Sequence, residues 1–138
     1  IAGDTTTRDD QNDLASRLVE IYTGLQEQIE RFQPTSAAVE ETVVNKNAAS
    51  SLKLGQARGV TLLAAAHGHL MISEYASKTV KRAVAGTGAA TKSQVIAMVQ
   101  VLLPRIGKLP SDAADALAIA ICHAHHAETA AKLSYGTR

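Results

Sequence analysis

The sequence has 138 residues, of which 46% are apolar but only 3% aromatic, and one is a cysteine. This length suits a single domain, whose core must be built from Ala, Val, Leu and Ile. The lone Cys122 excludes an internal disulfide and suits a reducing cytoplasm, and no apolar run reaches the ~20 residues of a membrane span. We therefore expect a cytoplasmic protein that does not cross a membrane.

The net charge of +1 hides an uneven distribution along the chain. Residues 42–111 contain nine basic residues and one acidic residue, Glu74, so this segment carries +8 while the two flanks together carry −7. If the basic side chains reach the surface on one side, they form a face that binds anions. The alternative is that they only solvate helices, although solvated faces usually mix both signs.

The first two elements follow from polarity and apolar spacing. Residues 1–13 are polar and are interpreted as a strand end or loop. From Leu14 onward, apolar residues recur in steps of three and four. This spacing predicts an amphipathic helix that ends near Phe32, just before Pro34.

The segment Ser36–Val44 is short, becomes β-branched toward its end and is predicted to be a strand. Because successive side chains of a strand point to opposite faces, Glu40 and Glu41 must lie on different sides. One of the two is expected on the less exposed face. A carboxylate in that position is either salt-bridged or a ligand.

A second helix is predicted over Ala48–Ala66, followed by a turn at residues 67–69 and a strand over Leu70–Tyr75. Gly55 and Gly59 lie one turn apart on this helix and leave a groove that another helix can approach closely. Charged neighbours exclude a lipid environment for the pair. The two glycines therefore indicate tight packing within or between subunits.

The run of residues 86–93 contains two glycines and Lys92, but it lacks the spacing of a nucleotide-binding P-loop. Thr91 and Gln94 fit a capping box for a helix that ends at Pro104. A flexible approach to a helix N-terminus bearing a lysine can hold a phosphate, and we favour a DNA phosphate over a nucleotide. If the preceding segment is helical, it carries a basic stripe: Lys78, Lys81 and Arg82.

Asp112 and Asp115 open a long, alanine-rich helix that Ser111 is expected to cap. At positions i and i+3 the two carboxylates share one face, and only alanines surround them. Two hard oxygen ligands in this arrangement can form half of a Mg²⁺ or Mn²⁺ site. The alternative is that both acids merely favour the positive end of the helix dipole.

A cluster of potential metal ligands follows on the same helix: Cys122, His123, His125 and His126. Zinc sites usually recruit ligands from two separated segments, and no second pair is evident in the sequence. We therefore interpret the histidines as dipole partners or packing residues, with no function assigned to them. The tail from Lys132 to Arg138 is expected to fray.

Several of these segments, taken in chain order, closely resemble the RuvC family of bacterial Holliday junction resolvases. The resemblance runs from about Leu14 to about His126. It is carried by the strand glutamate, by K-N-A-A-S-S-L-K-L-G-Q-A-R-G at residues 46–59, by K-S-Q-V at 92–95, and by D-A-A-D-A-L-A at 112–118. It implies one α/β domain of the ribonuclease H-like fold, a mixed sheet flanked by helices, spanning residues 1–138.

The resemblance also implies an activity and its site. Members of this family act as homodimers that hydrolyse two phosphodiesters symmetrically at a four-way DNA junction, in recombination and repair, using divalent metal. Glu40, Asp112 and Asp115 match metal ligands of the family, Glu41 would face away, and Lys92 would assist at the scissile phosphate. Two Mg²⁺ or Mn²⁺ ions per subunit are implied, one to activate the attacking water and one to stabilise the leaving oxygen.

The implied partners are four-way junction DNA, a second copy of the chain and branch-migration proteins of the RuvA/RuvB type. Gly55 and Gly59 mark the helix expected at the dimer interface. Backbone phosphates are expected to meet a set of basic side chains: Lys46, Lys53, Arg58, Lys78, Lys81, Arg82 and Lys92.

Two positions depart from the family pattern. The first carboxylate of the family lies on an N-terminal strand that has no counterpart here, and Asp4 is too close to the first helix to replace it. We expect an upstream segment of about thirty-odd residues, enough for three short strands with turns. Val43 stands where the family commonly has an aromatic residue that stacks on a junction base.

Two alternative functions remain open from the sequence. One is a non-catalytic, junction-binding dimer, and the other is a related ribonuclease H-like nuclease that acts on structured RNA. The basic segment predicts steep salt dependence for all three, so salt dependence does not distinguish them.

Overall fold

The computed structural model describes the backbone of residues 6–41 and 47–135 and the side chains of residues 13–41 and 47–134. In chain order, these residues form α1 (Thr6–Phe32), β1 (Ser36–Glu40), α2 (Ala48–His67), β2 (Met71–Tyr75), α3 (Ser77–Ala85), α4 (Lys92–Leu102) and α5 (Ser111–Tyr135). No helix in this part of the chain is both long enough and apolar enough to cross a bilayer.

The two strands pair side by side, and α2 connects them. The amide of Met71 donates to the carbonyl of Thr35 at 3.2 Å, and the amide of Glu41 donates to the carbonyl of Tyr75 at 2.9 Å. Residue numbers therefore increase together along the pair, which makes the strands parallel. This β-α-β arrangement confirms the α/β class, while the wider mixed sheet stays a prediction.

The chain is divided into two compact units. Unit 1 comprises Ile1–Ala37 and Thr42–Ile72, and unit 2 comprises Ala38–Glu41 and Ser73–Arg138. Unit 1 contains α1 and α2, where the side-chain amide of Gln26 donates to the carbonyl of Ala64 at 2.9 Å.

Unit 2 holds a core formed by α3, α4 and α5. Its buried side chains are small and aliphatic apart from one thiol: Val80, Val84, Ala90, Val95, Val99, Ala118 and Cys122. The thiol of Cys122 is fully buried, and this desolvation raises its pKa above the ordinary 9.0. The aromatic-poor core expected from composition is therefore observed.

The predicted capping box at the start of α4 is present. The side chain of Thr91 accepts from the amide of Gln94, and the side chain of Gln94 accepts from the amide of Thr91 at 2.8 Å. A further cap starts α2, where Oδ1 of Asn47 accepts from the amides of Ala49 and Ser50. These caps satisfy backbone donors that the first helical turn leaves without partners.

Three predicted boundaries were wrong. Helix α1 begins at Thr6, inside the polar segment interpreted as a loop, because residues 6–13 contain neither proline nor glycine to prevent helix formation. Helix α5 continues to Tyr135, so residues 132–135 of the tail expected to fray are helical, and an ion pair between Glu128 and Lys132 supports that end; residues 136–138 lie outside the described part of the chain. The helix also begins at Ser111 itself, one residue earlier than the predicted cap implies.

Other predictions fall outside the described residues. Strand β1 ends at Glu40, whereas the predicted strand continued to Val44. Residues 42–46, which include Val43 and Lys46, lie outside the described residues, and so does Asp4. A methyl group built on Gly55 or Gly59 meets no atom of the described chain within 4 Å. Packing of these glycines within the described chain is therefore absent, and packing between subunits stays a prediction.

Candidate active site

A cavity of about 220 Å³ in unit 2 brings together charged side chains from four elements. Glu40 comes from the end of β1, Lys81 from α3, Lys92 from α4 and Asp115 from α5. The remaining lining is one hydroxyl, Ser77, and an apolar floor: Val80, Val95, Ala118 and Ile119.

The secondary structure explains why these residues converge. Ser77 and Lys92 are the first residues of α3 and α4, and Asp115 lies in the second turn of α5. The cavity therefore receives the beginnings of three helices and the carboxyl end of a strand. Helix N-termini carry partial positive charge, so this edge favours anions even before the lysines are counted.

Lys92 forms an ion pair with an acidic residue of the cavity. Its Nζ donates to Oδ2 of Asp115 at 2.9 Å, and both side chains are about half exposed. This hydrogen bond raises the pKa of Lys92 above the ordinary 10.5, and the charges of Asp112 and Glu40 act in the same direction. The ammonium therefore stays protonated at neutral pH beside three carboxylates.

Three of the four predicted catalytic residues line the cavity, and the fourth does not. Glu40, Asp115 and Lys92 line the cavity, whereas Asp112 lies one helical turn before Asp115 and outside the lining. Both Glu40 and Glu41 are exposed, but only Glu40 lines the cavity, and Glu41 lies just beyond the end of β1. The two glutamates therefore have different surroundings, as expected, although neither side chain is buried.

The donor set agrees with a hard divalent cation in chemical kind. Carboxylate oxygens are the ligands that Mg²⁺ and Mn²⁺ prefer. Among the residues with described side chains, however, no three His, Cys, Asp or Glu side chains are grouped closely enough to hold a metal ion. The cavity thus offers two carboxylates directly, with a third close enough to influence Lys92.

Sequence comparison decides the family. The sequence profile of the family described as "Crossover junction endodeoxyribonuclease RuvC" matches residues 2–123. The chain belongs to the RuvC family. The RuvC protein of Brucella ovis is 53% identical over 129 residues, covering 94% of this chain and 75% of the relative. The RuvC protein of Rhizobium leguminosarum bv. trifolii is 50% identical over 126 residues, covering 91% and 75%.

Solved structures agree with this assignment. The Thermus thermophilus RuvC structure is 36% identical and superposes with a TM-score of 0.76 over 85% of this chain and 71% of that one. T. thermophilus RuvC in complex with Holliday junction substrate is also 36% identical, with a TM-score of 0.77 over 83% and 70%. The fold is therefore ribonuclease H-like, as the RuvC resemblance implied, and the family is one of metal-dependent nucleases.

The basic residues that the RuvC resemblance assigned to DNA lie in both units. Lys53 and Arg58 lie on α2 in unit 1, and Lys78, Lys81 and Arg82 lie on α3 in unit 2. The segment is helical, so the predicted basic stripe is present, and the opposite face of α3 buries Val80 and Val84. The turn before α4 packs closely on α3 at Gly88. A Cβ built on this glycine would lie only 3.3 Å from the carbonyl oxygen of Lys78.

Two features of this RuvC-family protein were missed by sequence reasoning. Ser77 lines the cavity, and its position four residues before Lys81 on one helix could have indicated a shared face. The hydroxyl of Tyr75 is hydrogen-bonded to Nδ1 of His123 at 2.8 Å. That pair spans 48 residues of sequence, and no local pattern predicts it.

Two of the three histidines of α5 agree with the packing interpretation. The ring of Tyr75 contacts His123 and His126 edge to face, with centroids 5.8 and 5.1 Å apart. The absence of any three-ligand group among the described side chains gives no support to a zinc cluster with Cys122. His123 and His126 are therefore aromatic partners of a strand residue.

Proposed function

We propose that the protein is an endonuclease that resolves Holliday junctions by metal-dependent, symmetric hydrolysis of phosphodiester bonds in recombination and DNA repair. One observation carries the proposal: in a chain of the RuvC family, Glu40, Asp115 and two lysines line one cavity. The relatives are crossover junction endodeoxyribonucleases, and one solved structure contains a Holliday junction substrate. The nuclease activity, the junction substrate and the cavity thus point to one reaction.

Glu40 and Asp115, with Asp112 from the preceding turn, would hold Mg²⁺ or Mn²⁺, with two ions per subunit. When bound, the ions lower the pKa of the attacking water and stabilise charge on the leaving oxygen. The support is the carboxylate character of the donors and the convergence of Glu40 and Asp115 on one cavity. We include Asp112 as the third carboxylate because its charge acts on Lys92 at the cavity.

The chain's own residues perform the remaining steps. The ammonium groups of Lys81 and Lys92 bind the non-bridging oxygens of the scissile phosphate, since both lie on the cavity wall. Lys92 is protonated at neutral pH, so its Nζ donates hydrogen bonds as negative charge develops.

The wider DNA contacts involve the same basic residues that the family resemblance assigns. Backbone phosphates are bound by basic residues of three helices: Lys53 and Arg58 on α2, Lys78, Lys81 and Arg82 on α3, and Lys92 on α4. Lys46 belongs to the same set but lies outside the described residues. Phosphate contacts position a protein on nucleic acid, while the branched shape of the junction selects the substrate.

The protein acts as a homodimer in this proposal. Leu52, Gly55, Gly59 and Leu63 recur in steps of three and four on α2, and all four are exposed. Such a stripe of leucines and glycines suits close packing against the same helix of a second copy. The remaining assignments, which the family resemblance supports, are a single nuclease domain, a cytoplasmic location and branch-migration proteins as partners.

The decisive experiment is cleavage of a synthetic four-way junction in the presence of Mg²⁺. We expect symmetric nicking that Asp112→Asn abolishes while junction binding persists. Binding by the unmodified protein without cleavage would favour the non-catalytic, junction-binding dimer. Preferential cleavage of a structured RNA of equal length would instead favour the RNA-directed nuclease.

A further inference from the structure

Tyr75 touches two elements of the cavity without lining it. It is the last residue of β2, and its carbonyl accepts from the amide of Glu41 at 2.9 Å. Its hydroxyl is hydrogen-bonded to Nδ1 of His123 on α5 at 2.8 Å. All three residues belong to unit 2, so the contacts lie within one compact part of the chain.

The two contacts of Tyr75 lie next to, or on the same helix as, the proposed metal ligands. Glu41 directly follows Glu40, and His123 lies eight residues after Asp115 on the same helix. Eight residues of α-helix correspond to about 12 Å along a stiff rod, so fixing His123 also limits where Asp115 can lie. Through its backbone and its side chain, Tyr75 therefore connects the strand that carries Glu40 to the helix that carries Asp115.

We propose that Tyr75 and His123 are positioning residues, whose hydrogen bond sets the separation of the Glu40 and Asp115 carboxylates across the cavity. The inference rests on the proposed function, since it assigns these carboxylates to metal binding. Neither residue touches the cavity, so neither acts on substrate directly. Groups that hydrogen-bond metal ligands directly typically change metal affinity or activity by about 10- to 100-fold when removed, and because Tyr75 acts through the backbone we expect the lower end of that range.

The structure favours positioning over mere support of the fold for a physical reason. The tyrosine ring still packs on His123 and His126 when the hydroxyl is removed, because those contacts are made by the ring. Tyr75→Phe therefore removes the directional contact and preserves most of the packing. What it changes is the freedom of α5 to shift against the end of β1.

A matched control exists in unit 1. There the hydroxyl of Tyr22 on α1 is hydrogen-bonded to Nδ1 of His67 on α2, so Tyr22→Phe removes the same chemical contact from residues that do not line the cavity. The Tyr22 contact is exposed and the Tyr75 contact is half-buried, so Tyr22→Phe should cost no more stability than Tyr75→Phe. Only the variant at Tyr75 should change the acidic site.

The test titrates MnCl₂ into the DNA-free protein and separately measures single-turnover junction cleavage and junction binding in EDTA. We expect Tyr75→Phe to weaken Mn²⁺ binding and slow cleavage by about tenfold, with junction affinity unchanged, while Tyr22→Phe alters none of the three. His123→Asn, which keeps a polar partner for the hydroxyl, should retain more of both properties than His123→Phe.

The outcomes separate this inference from the proposed function. Unchanged Mn²⁺ affinity and cleavage rate in Tyr75→Phe would overturn the positioning role and leave the nuclease intact. Equal losses in Tyr22→Phe would show that only general stability matters. If Tyr75→Phe does not fold, the contrast between His123→Asn and His123→Phe decides the question. Failure of the unmodified protein to bind Mn²⁺ and to cleave would overturn both proposals.

Discussion

The Nζ atom of Lys92 lies 2.9 Å from Oδ2 of Asp115, so the first residue of α4 is held against an acid in the second turn of α5. Because both side chains are about half exposed, the pair contributes little to stability. The ion pair matters because of where it lies, since both residues line the cavity with Glu40. In the proposed mechanism, Lys92 of this pair supplies a positive charge beside the scissile phosphate.

Replacing Lys92 with methionine should lower the single-turnover cleavage rate of a four-way junction by about 100-fold, because a hydrogen-bond donor at developing negative charge is lost. Junction binding should weaken much less, since Lys92 is one of several proposed phosphate contacts. Lys108→Met is the control, because that lysine is exposed and does not line the cavity. A Lys92→Met protein that cleaves as fast as the control would remove Lys92 from the mechanism.

The elements that the sequence predicted well carry a local signal. Thr91 and Gln94 cap α4 as expected because a capping box needs only residues three apart. The helix and strand on either side of residues 67–69 were found because their patterns of apolar residues differ and a glycine separates them. The family resemblance then placed Glu40, Asp115 and Lys92, which distant segments contribute.

What the sequence could not predict depends on tertiary contacts or on segments without periodicity. The start of α1 is polar, so no apolar spacing marked it as helical. The bond between Tyr75 and His123 joins residues 48 positions apart, and only the packing of β2 against α5 brings them together. The sequence therefore predicted dipole or packing roles for the histidines without identifying Tyr75 as the partner of His123.

Val99→Ala should destabilise the protein by about 2 kcal/mol, because the side chain is fully buried in the core of unit 2 and its removal leaves a cavity. Val101, on the same helix, is 67% exposed, so Val101→Ala should cost less than about 0.5 kcal/mol. Urea denaturation monitored by circular dichroism measures both values. Equal losses in the two variants would contradict the burial difference.

Gly68→Ala should destabilise the packing of α1 on α2. A Cβ built at residue 68 lies 2.9 Å from Cγ2 of Ile29, and a β-branched side chain cannot easily turn away. We expect a loss of about 1–3 kcal/mol in the free energy of unfolding. The double variant Gly68→Ala with Ile29→Ala should lose less than the sum of the two single changes.

Gly24→Ala provides the control for that substitution. A Cβ at residue 24 meets nothing within 4 Å, and the residue lies in the interior of α1. Replacing this glycine should therefore stabilise the helix by about 0.5–1 kcal/mol. A destabilised Gly24→Ala protein, or a neutral Gly68→Ala protein, would show that the predicted clash is not the controlling effect.

The end of α5 should respond to pH through Glu128. Nζ of Lys132 lies 2.8 Å from its Oε1, and this hydrogen bond, followed by the charges of Lys132 and His125, lowers the pKa of Glu128 below the ordinary 4.5. Because the folded pKa is depressed, the contribution of the pair is present above the unfolded value of 4.5 and is lost as pH falls through the folded pKa.

Glu128→Gln should therefore reduce the hydrogen-exchange protection of amides in residues 129–134 at neutral pH and have no such effect near about pH 2, where the glutamate is protonated in both states. Lys132→Gln should produce the same loss at neutral pH, and the double variant should add nothing further, since one interaction is removed in each case. Protection factors correct for the intrinsic pH dependence of exchange. An effect of Glu128→Gln that is equally large at both pH values would show that the charge of the carboxylate is not what supports this end of the helix.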